Sequence, residues 1–267
     1  SPLSLRGLLH ALRNRRTQLE HVFVLMLENR SFDHMLGFSE IAGTDASTSE
    51  PTTMEGLKGT EVNEFDGRTF RVERGAPDVA LFDPGHSFGA VLEQLCGHGA
   101  MYPNGGPYPD VRNSGFVSNY AKSHPDTPED VMKCFVPDDL PVLNALAREF
   151  VVCDHWFCSM PGPTEPNRYF MLADTCGDLD ESPKREEIFE AVTKPGGGFE
   201  FKQGSIFEQI DKAGLKYRIY ADDHFPVAAE LDGISVVFDI REFDDFAEDL
   251  QDPSFDASFV LIEPDYS

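Results

Sequence analysis

Short apolar runs alternate along the chain with amphipathic segments, and this pattern predicts strands and helices in turn. The run from Val22 to Leu27 has the length of a buried strand, and polar residues follow it directly from Glu28. A helix is predicted from Pro141 to about Glu149, and it leads into an apolar strand expected from Phe150 to Cys153. Such alternation is typical of an α/β fold, in which helices cover both faces of a mainly parallel sheet.

Two later segments extend the same pattern. Ser205 and Glu208 form a capping box for a helix that ends at Gly214, and a strand is predicted from Leu215 to Tyr220. The apolar run from Ser258 to Ile262 predicts a further strand of the sheet.

Residues 39–80 and 97–138 lack a sustained hydrophobic period and are rich in Gly, Pro, Asp and Thr. We interpret them as insertions or active-site loops. Within the first, the pair Asp66-Gly67 between alternating residues predicts a small hairpin. The sequence thus favours one domain over residues 1–267 that carries two loop insertions.

Size and charge exclude several kinds of partner. The 267 residues, 40% of them hydrophobic, can bury one large core. No apolar run approaches the roughly 18 residues of a membrane span, so we expect no transmembrane segment and at most transient contact with a membrane surface. A net charge of -25 repels phosphate backbones, which argues against a nucleic-acid partner. The five cysteines have no CxxC spacing, so no disulfide framework is indicated, and a single bridge, for example between Cys153 and Cys158, is left open.

The first candidate site follows the strand from Val22 to Leu27. Ligands of open parallel sheets bind at the carboxyl ends of the strands, where Glu28 and Asn29 stand. Carboxylate and amide oxygens are suitable ligands of a divalent cation. The alternative, favoured by this stretch alone, is a helix start capped by Ser31 or Asp33.

The second candidate is the stretch "PGPTEPNR". Its proline-rich turn places Thr164 at a helix N-terminus, where the helix dipole favours a phosphate group. The hydroxyl of Thr164 could then act as a nucleophile. The alternative is that Thr164 only caps a helix from Pro166 to Thr175.

The third candidate is His86 in "DPGHSF", just before a helix predicted from about Ser87 to the residue before Gly97. Its imidazole could donate a proton or a hydrogen bond to a phosphoryl oxygen, and the alternative is a simple surface histidine. Asp222, Asp223 and His224 are also suitable metal ligands, although an exposed loop explains them equally well.

The segments "ENRSFDH", "DPGHS", "PGPTEPNR" and "IEPDY", in this order, resemble the bacterial phospholipase C and acid phosphatase family, which is also found as plant non-specific phospholipases C. The resemblance extends from about His21 to the last residue. It implies an alkaline-phosphatase-like fold, a three-layer α/β/α sandwich around a mainly parallel sheet. It also favours a secreted or cell-envelope protein.

The same resemblance assigns roles to the residues that match its motifs. Thr164 matches the nucleophile and a metal ligand, and Glu28 and Asn29 match the metal-binding pair of a divalent ion of unspecified identity. Asn167 and Arg168 would hold phosphoryl oxygens. His86 would be the active-site histidine.

The implied reaction is phospholipase C cleavage of a phosphatidylcholine-like lipid to diacylglycerol and a phosphorylated head group. The alternatives are an acid phosphatase of the same family and a non-catalytic protein that binds phosphate or a head group. The family carries further metal-binding and histidine motifs after IEPxY. The expectation is therefore that this sequence, which ends at Ser267, lacks the C-terminal part of the fold and holds part of the metal site.

Overall fold

The computed structural model describes residues 19–27, 30–79, 83–103, 105–194, 197–223 and 225–264. The chain divides into two compact units. Unit 1 contains Ser1–Glu28, Arg168–Gly177 and Pro183–Ser267, and unit 2 contains Asn29–Asn167 and Asp178–Ser182.

Short strands and helices make up both units. The strands are β1 (Val22–Leu25), β2 (Ala42–Thr44), β3 (Pro51–Thr53), β4 (Val62–Phe65), β5 (Arg68–Arg71), β6 (Glu73–Arg74), β7 (Lys133–Cys134), β8 (Tyr217–Ala221), β9 (Ile240–Glu242) and β10 (Phe259–Glu263). The α-helices are Phe32–Leu36, Phe88–Cys96, Phe116–Tyr120, Pro141–Glu149, Thr164–Ala173, Arg185–Val192, Ile206–Lys212 and Phe246–Asp249. Turns of 3-10 helix cover Pro128–Met132, Val227–Glu230 and Phe243–Asp245.

Unit 1 is built on a parallel sheet with the strand order β1-β10-β8-β9. The central strands are apolar because both of their faces are covered, and Ile219, Val260 and Leu261 are fully buried. The helix Ile206–Lys212 begins with the predicted capping box, in which Ser205 accepts from the backbone of Glu208. These features confirm the α/β class and the parallel sheet, while the exact three-layer sandwich stays a prediction.

Unit 2 contains small two-stranded sheets and short helices. The hairpin of β4 and β5 turns at Asp66 and Gly67, both with positive φ, which confirms its prediction. A core of buried side chains joins the two stretches interpreted as loops, and its members are Phe38, Phe70, Val72, Val117, Met132 and Cys134. Residues 39–80 and 97–138 therefore contain regular elements and supply much of the core of unit 2.

Two predictions about strands are wrong. The first strand, β1, ends at Leu25 and is largely exposed rather than buried. The strand expected from Phe150 to Cys153 does not form. The helix Pro141–Glu149 forms as expected, but residues 150–153 are not a strand, and Phe150 donates its backbone N–H to the Leu146 oxygen. A strand requires a hydrogen-bonded neighbour, and none of the described strands pairs with these residues. Cys153 and Cys158 are free thiols, so the bridge left open does not form.

No helix in the described part of the chain combines the length and the apolar character that crossing a membrane requires.

Candidate active site

The stretch after β1 is described only from Arg30 onwards. Glu28 and Asn29 lie outside the described residues, so the metal pair stays a prediction. Ser31 caps the helix Phe32–Leu36, because its Oγ accepts the backbone N–H of His34 at 3.1 Å. This confirms the capping role considered for Ser31. Burial raises the pKa of Asp33 in the same helix, and nearby acidic residues raise it further.

Thr164 is the first residue of a ten-residue helix, Thr164–Ala173, which we call the Thr164 helix. Pro163 before it and Pro166 within its first turn are buried. Proline is tolerated there because the first N–H groups of a helix have no intrahelical partner. The remaining N–H groups of this turn and the helix dipole favour an anionic group next to Thr164.

The side chain of Asn167 forms hydrogen bonds with the backbone of the turn that leads into Thr164. Its Nδ2 donates to the backbone oxygens of Met160, Gly162 and Pro163 at 3.2, 3.2 and 3.1 Å. Its Oδ1 accepts the N–H of Met160 at 3.2 Å. The amide is therefore engaged with the backbone, and the predicted contact with phosphoryl oxygens stays a prediction.

The segment Asp178–Ser182 connects the Thr164 helix with the helix Phe88–Cys96, which we call the Phe88 helix. Glu181 accepts the backbone N–H of Phe88 at 3.0 Å, and its neighbour Ser182 donates its hydroxyl to Glu165. Phe88, which donates, and Glu165, which accepts, each lie in the first turn of their helix. The start of the Thr164 helix and the start of the Phe88 helix thus contact the same short segment of unit 2. The loop at residues 83–87, which leads into the Phe88 helix, is called the His86 loop.

His86 lies in the loop just before the Phe88 helix, which forms within the predicted bounds and has Ser87 as its N-cap. Its side chain is 45% exposed, and its Nε2 lies 3.9 Å from Asp83 Oδ2. That distance is too long for a hydrogen bond. Asp83 therefore does not orient the imidazole through a hydrogen bond.

Arg168 belongs to unit 1, where it forms a buried ion pair with Glu263 of β10. The side chains are 1% and 0% exposed, and Arg168 Nη1 lies 3.3 Å from Glu263 Oε2. Arg168 also donates to the Met26 backbone oxygen at 3.1 Å, just after β1. The guanidinium thus connects the Thr164 helix, β1 and β10, and its predicted contact with phosphoryl oxygens stays a prediction.

No role is predicted for Glu263 from the sequence, although it lies in the "IEPDY" motif. Its carboxylate also accepts the backbone N–H groups of Val227 and Ala228 at 3.1 and 2.9 Å. No local pattern in the sequence separates this buried acid from the many acids at the surface. Only its position at the carboxyl end of an apolar strand indicated that it lies near a functional site.

The described residues do not by themselves form a metal site. They contain no group of three or more His, Cys, Asp or Glu side chains arranged to hold an ion. Asp223 accepts the backbone N–H of Phe225 at 3.1 Å, as expected of an exposed loop, while His224 lies outside the described residues. The divalent ion and its predicted ligands Glu28, Asn29 and Thr164 stay a prediction.

The chain is similar in sequence to a known protein family and to several curated proteins. The sequence pattern of the Phosphoesterase family matches residues 19–259. Non-specific phospholipase C3 of Arabidopsis thaliana is 33% identical over 216 residues, which cover 76% of this chain and 36% of the relative. Non-specific phospholipase C6 of the same plant is 31% identical over 256 residues, which cover 94% of this chain and 44% of the relative.

A bacterial protein also matches. The non-hemolytic phospholipase C of Burkholderia pseudomallei (strain K96243) is 27% identical over 219 residues, which cover 78% of this chain and 27% of the relative. The chain thus spans less than half the length of these curated relatives.

Proposed function

Because the chain belongs to the Phosphoesterase family, we propose that it hydrolyses phosphoric esters by phospholipase C-type cleavage of phosphatidylcholine-like lipids. The products are diacylglycerol and a phosphorylated head group. The observation that carries this proposal is the position of Thr164 as the first residue of a helix, after a turn that Asn167 holds. Relatives named phospholipase C support the choice of a lipid substrate.

The reaction proceeds by in-line attack of Thr164 Oγ1 on phosphorus. The Thr164 hydroxyl gives up its proton as a bond forms between Oγ1 and phosphorus. The bond from phosphorus to the glycerol oxygen breaks, and that oxygen takes up a proton and leaves as the alcohol. The intermediate is a phosphothreonine that carries the head group. Water then attacks the same phosphorus, the threonine oxygen regains its proton, and the phosphorylated head group is released.

Other residues of the chain assist at the phosphoryl group. The first-turn N–H groups of the Thr164 helix face developing negative charge, and His86 donates a proton or a hydrogen bond to a phosphoryl oxygen. We further propose that Glu28, Asn29 and Thr164 contribute ligands to a divalent ion. Such an ion, when bound, supplies positive charge at the phosphoryl oxygens and lowers the pKa of a coordinated hydroxyl group.

The net charge of -25 bears on the choice of lipid. An acidic protein is repelled at long range by an anionic bilayer but not by a zwitterionic one. Phosphatidylcholine-like head groups therefore suit this chain better than phosphatidylserine-like ones.

The test is hydrolysis of para-nitrophenyl phosphorylcholine and para-nitrophenyl phosphate by this chain and by the full gene product, each with and without EDTA. We expect turnover of the choline diester and its loss in EDTA, with recovery when a divalent ion is added back. Preference for the monoester would instead support an acid phosphatase. No turnover of either ester by either protein contradicts the proposal and favours a protein that only binds phosphate or a head group.

The turn before Thr164 gives a second prediction. We expect Asn167→Asp to lower kcat by about 10-fold to 100-fold, a typical cost of removing hydrogen bonds that orient a site. The change keeps the size of the side chain but replaces the amide group that donates to Met160, Gly162 and Pro163. Steady-state kinetics with the choline diester measure the effect.

Asn144→Asp is the matched control, because Asn144 is a buried amide of unit 2 whose Nδ2 donates to Leu140 at 3.1 Å. It should keep kcat within about twofold of the native value once the folded fraction is taken into account. Equal losses of kcat in both variants would show that Asn167 has no particular role in placing Thr164.

A further inference from the structure

A buried polar network lies directly behind the His86 loop. On the inner side of the Phe88 helix, Glu93 and Gln94 are 3% and 8% exposed, which is unusual for such polar residues. Gln94 Nε2 donates to the Gly85 backbone oxygen at 2.8 Å and to Asn119 Oδ1 at 2.9 Å. Gly85 is the residue immediately before His86.

The charge of Glu93 determines which groups of this network donate hydrogen bonds and which accept them. Its carboxylate accepts from Asn119 Nδ2 at 3.0 Å and from Lys122. Burial raises the pKa of Glu93, but hydrogen bonds from Lys122 and Asn119 outweigh it, and the pKa lies below its usual value. Glu93 is therefore ionised at neutral pH and can only accept hydrogen bonds.

The donors and acceptors of both amides follow from this charge. Asn119 must turn its amide group towards Glu93 and its oxygen towards Gln94. Gln94 must then use its own amide group as a donor, and the Gly85 oxygen accepts from it. A series of hydrogen bonds with defined donors and acceptors therefore connects the Glu93 carboxylate with the Gly85 carbonyl of the His86 loop.

The loop also fits closely against this network. A Cβ atom added to Gly85 would lie 2.7 Å from the Cβ of Ala90 and 3.1 Å from Asn119 Oδ1. The peptide before His86 can therefore approach the network only because residue 85 is a glycine. The half-exposed imidazole itself has no comparably short contact to Asp83.

We propose that Gln94 is a positioning residue, which fixes the Gly85 carbonyl and through it the direction of the His86 imidazole at the phosphoryl group. Glu93 and Asn119 act through Gln94, because they fix which of its atoms faces the loop. This inference rests on the proposed function, since it takes His86 as the residue that contacts the substrate.

The first test compares Gln94→Met with Asn144→Leu, two changes that each replace a buried amide by an apolar side chain of similar size. We expect Gln94→Met to lower kcat for the choline diester by about 10-fold to 100-fold, with a smaller change in KM. Asn144→Leu should leave kcat within about twofold after correction for the folded fraction.

A double-mutant cycle separates positioning from a general loss of structure. In a His86→Ala background, Gln94→Met should lower kcat by less than about twofold, because the side chain it positions is already absent. If the two effects multiply instead, Gln94 does not act through His86 and the inference fails.

NMR spectroscopy of the His86 imidazole tests the positioning role of Gln94 even if the protein turns over no ester. The imidazole resonances of His86, assigned by their loss in His86→Ala, should shift in Gln94→Met and stay in place in Asn144→Leu. Absence of turnover together with this shift would overturn the proposed function but support the positioning role. Unshifted resonances in Gln94→Met would overturn the positioning role whatever the activity.

Discussion

Thr164→Ala is expected to abolish turnover of phosphate esters, with a fall in kcat on the order of 10⁴-fold or more, as for loss of a nucleophile in other hydrolases. The physical reason is that alanine has no hydroxyl to attack phosphorus, and no other group of the chain is proposed to take its place. The measurement is release of para-nitrophenol from the choline diester at saturating substrate.

Two further variants make this result specific. Thr164→Ser keeps the hydroxyl and should retain measurable activity, while Thr69→Ala removes a threonine on the exposed side of β5 and should change nothing. If Thr164→Ala keeps more than a tenth of the native kcat, the hydroxyl is not the nucleophile and the mechanism is wrong.

Arg168→Met is expected to give the largest loss of stability, about 3–5 kcal/mol in the free energy of unfolding, because it leaves the Glu263 carboxylate buried without its cation. Both side chains are almost completely buried in unit 1. The hydrogen bond from Arg168 to the Met26 oxygen is lost as well. Urea unfolding followed by circular dichroism measures the change.

The matched control is Lys212→Met, which breaks an exposed ion pair with Glu208 in the same unit. Exposed pairs contribute little because water screens them, so this change should cost less than about 1 kcal/mol. Similar losses in both variants would show that the pair of Arg168 and Glu263 does not stabilise unit 1.

Local patterns predicted the elements whose causes are local. The hairpin at Asp66 and Gly67, the capping box of Ser205 and the cap at Ser31 each depend on residues within a few positions of one another. Their hydrogen bonds join groups that are close along the chain, so a local pattern is enough to predict them. These predictions were confirmed for that reason.

Predictions that depend on distant partners were less successful. The apolar run at residues 150–153 has the composition of a strand, but pairing decides whether a strand forms. The buried hydrogen bonds of Gln94 and Glu263 could not be seen in the sequence, because their partners lie at Asn119 and Arg168. A polar side chain in a helix or strand is normally assigned to the surface, and burial became visible only in the folded chain.

A covalent intermediate on Thr164 can be trapped by quenching the protein in acid during turnover of para-nitrophenyl phosphorylcholine and detected by mass spectrometry. We expect a phosphocholine group on the peptide that contains Thr164, in the native protein and not in Thr164→Ala. Continuing turnover with an unmodified Thr164 peptide, or the same group on another residue, would contradict this expectation.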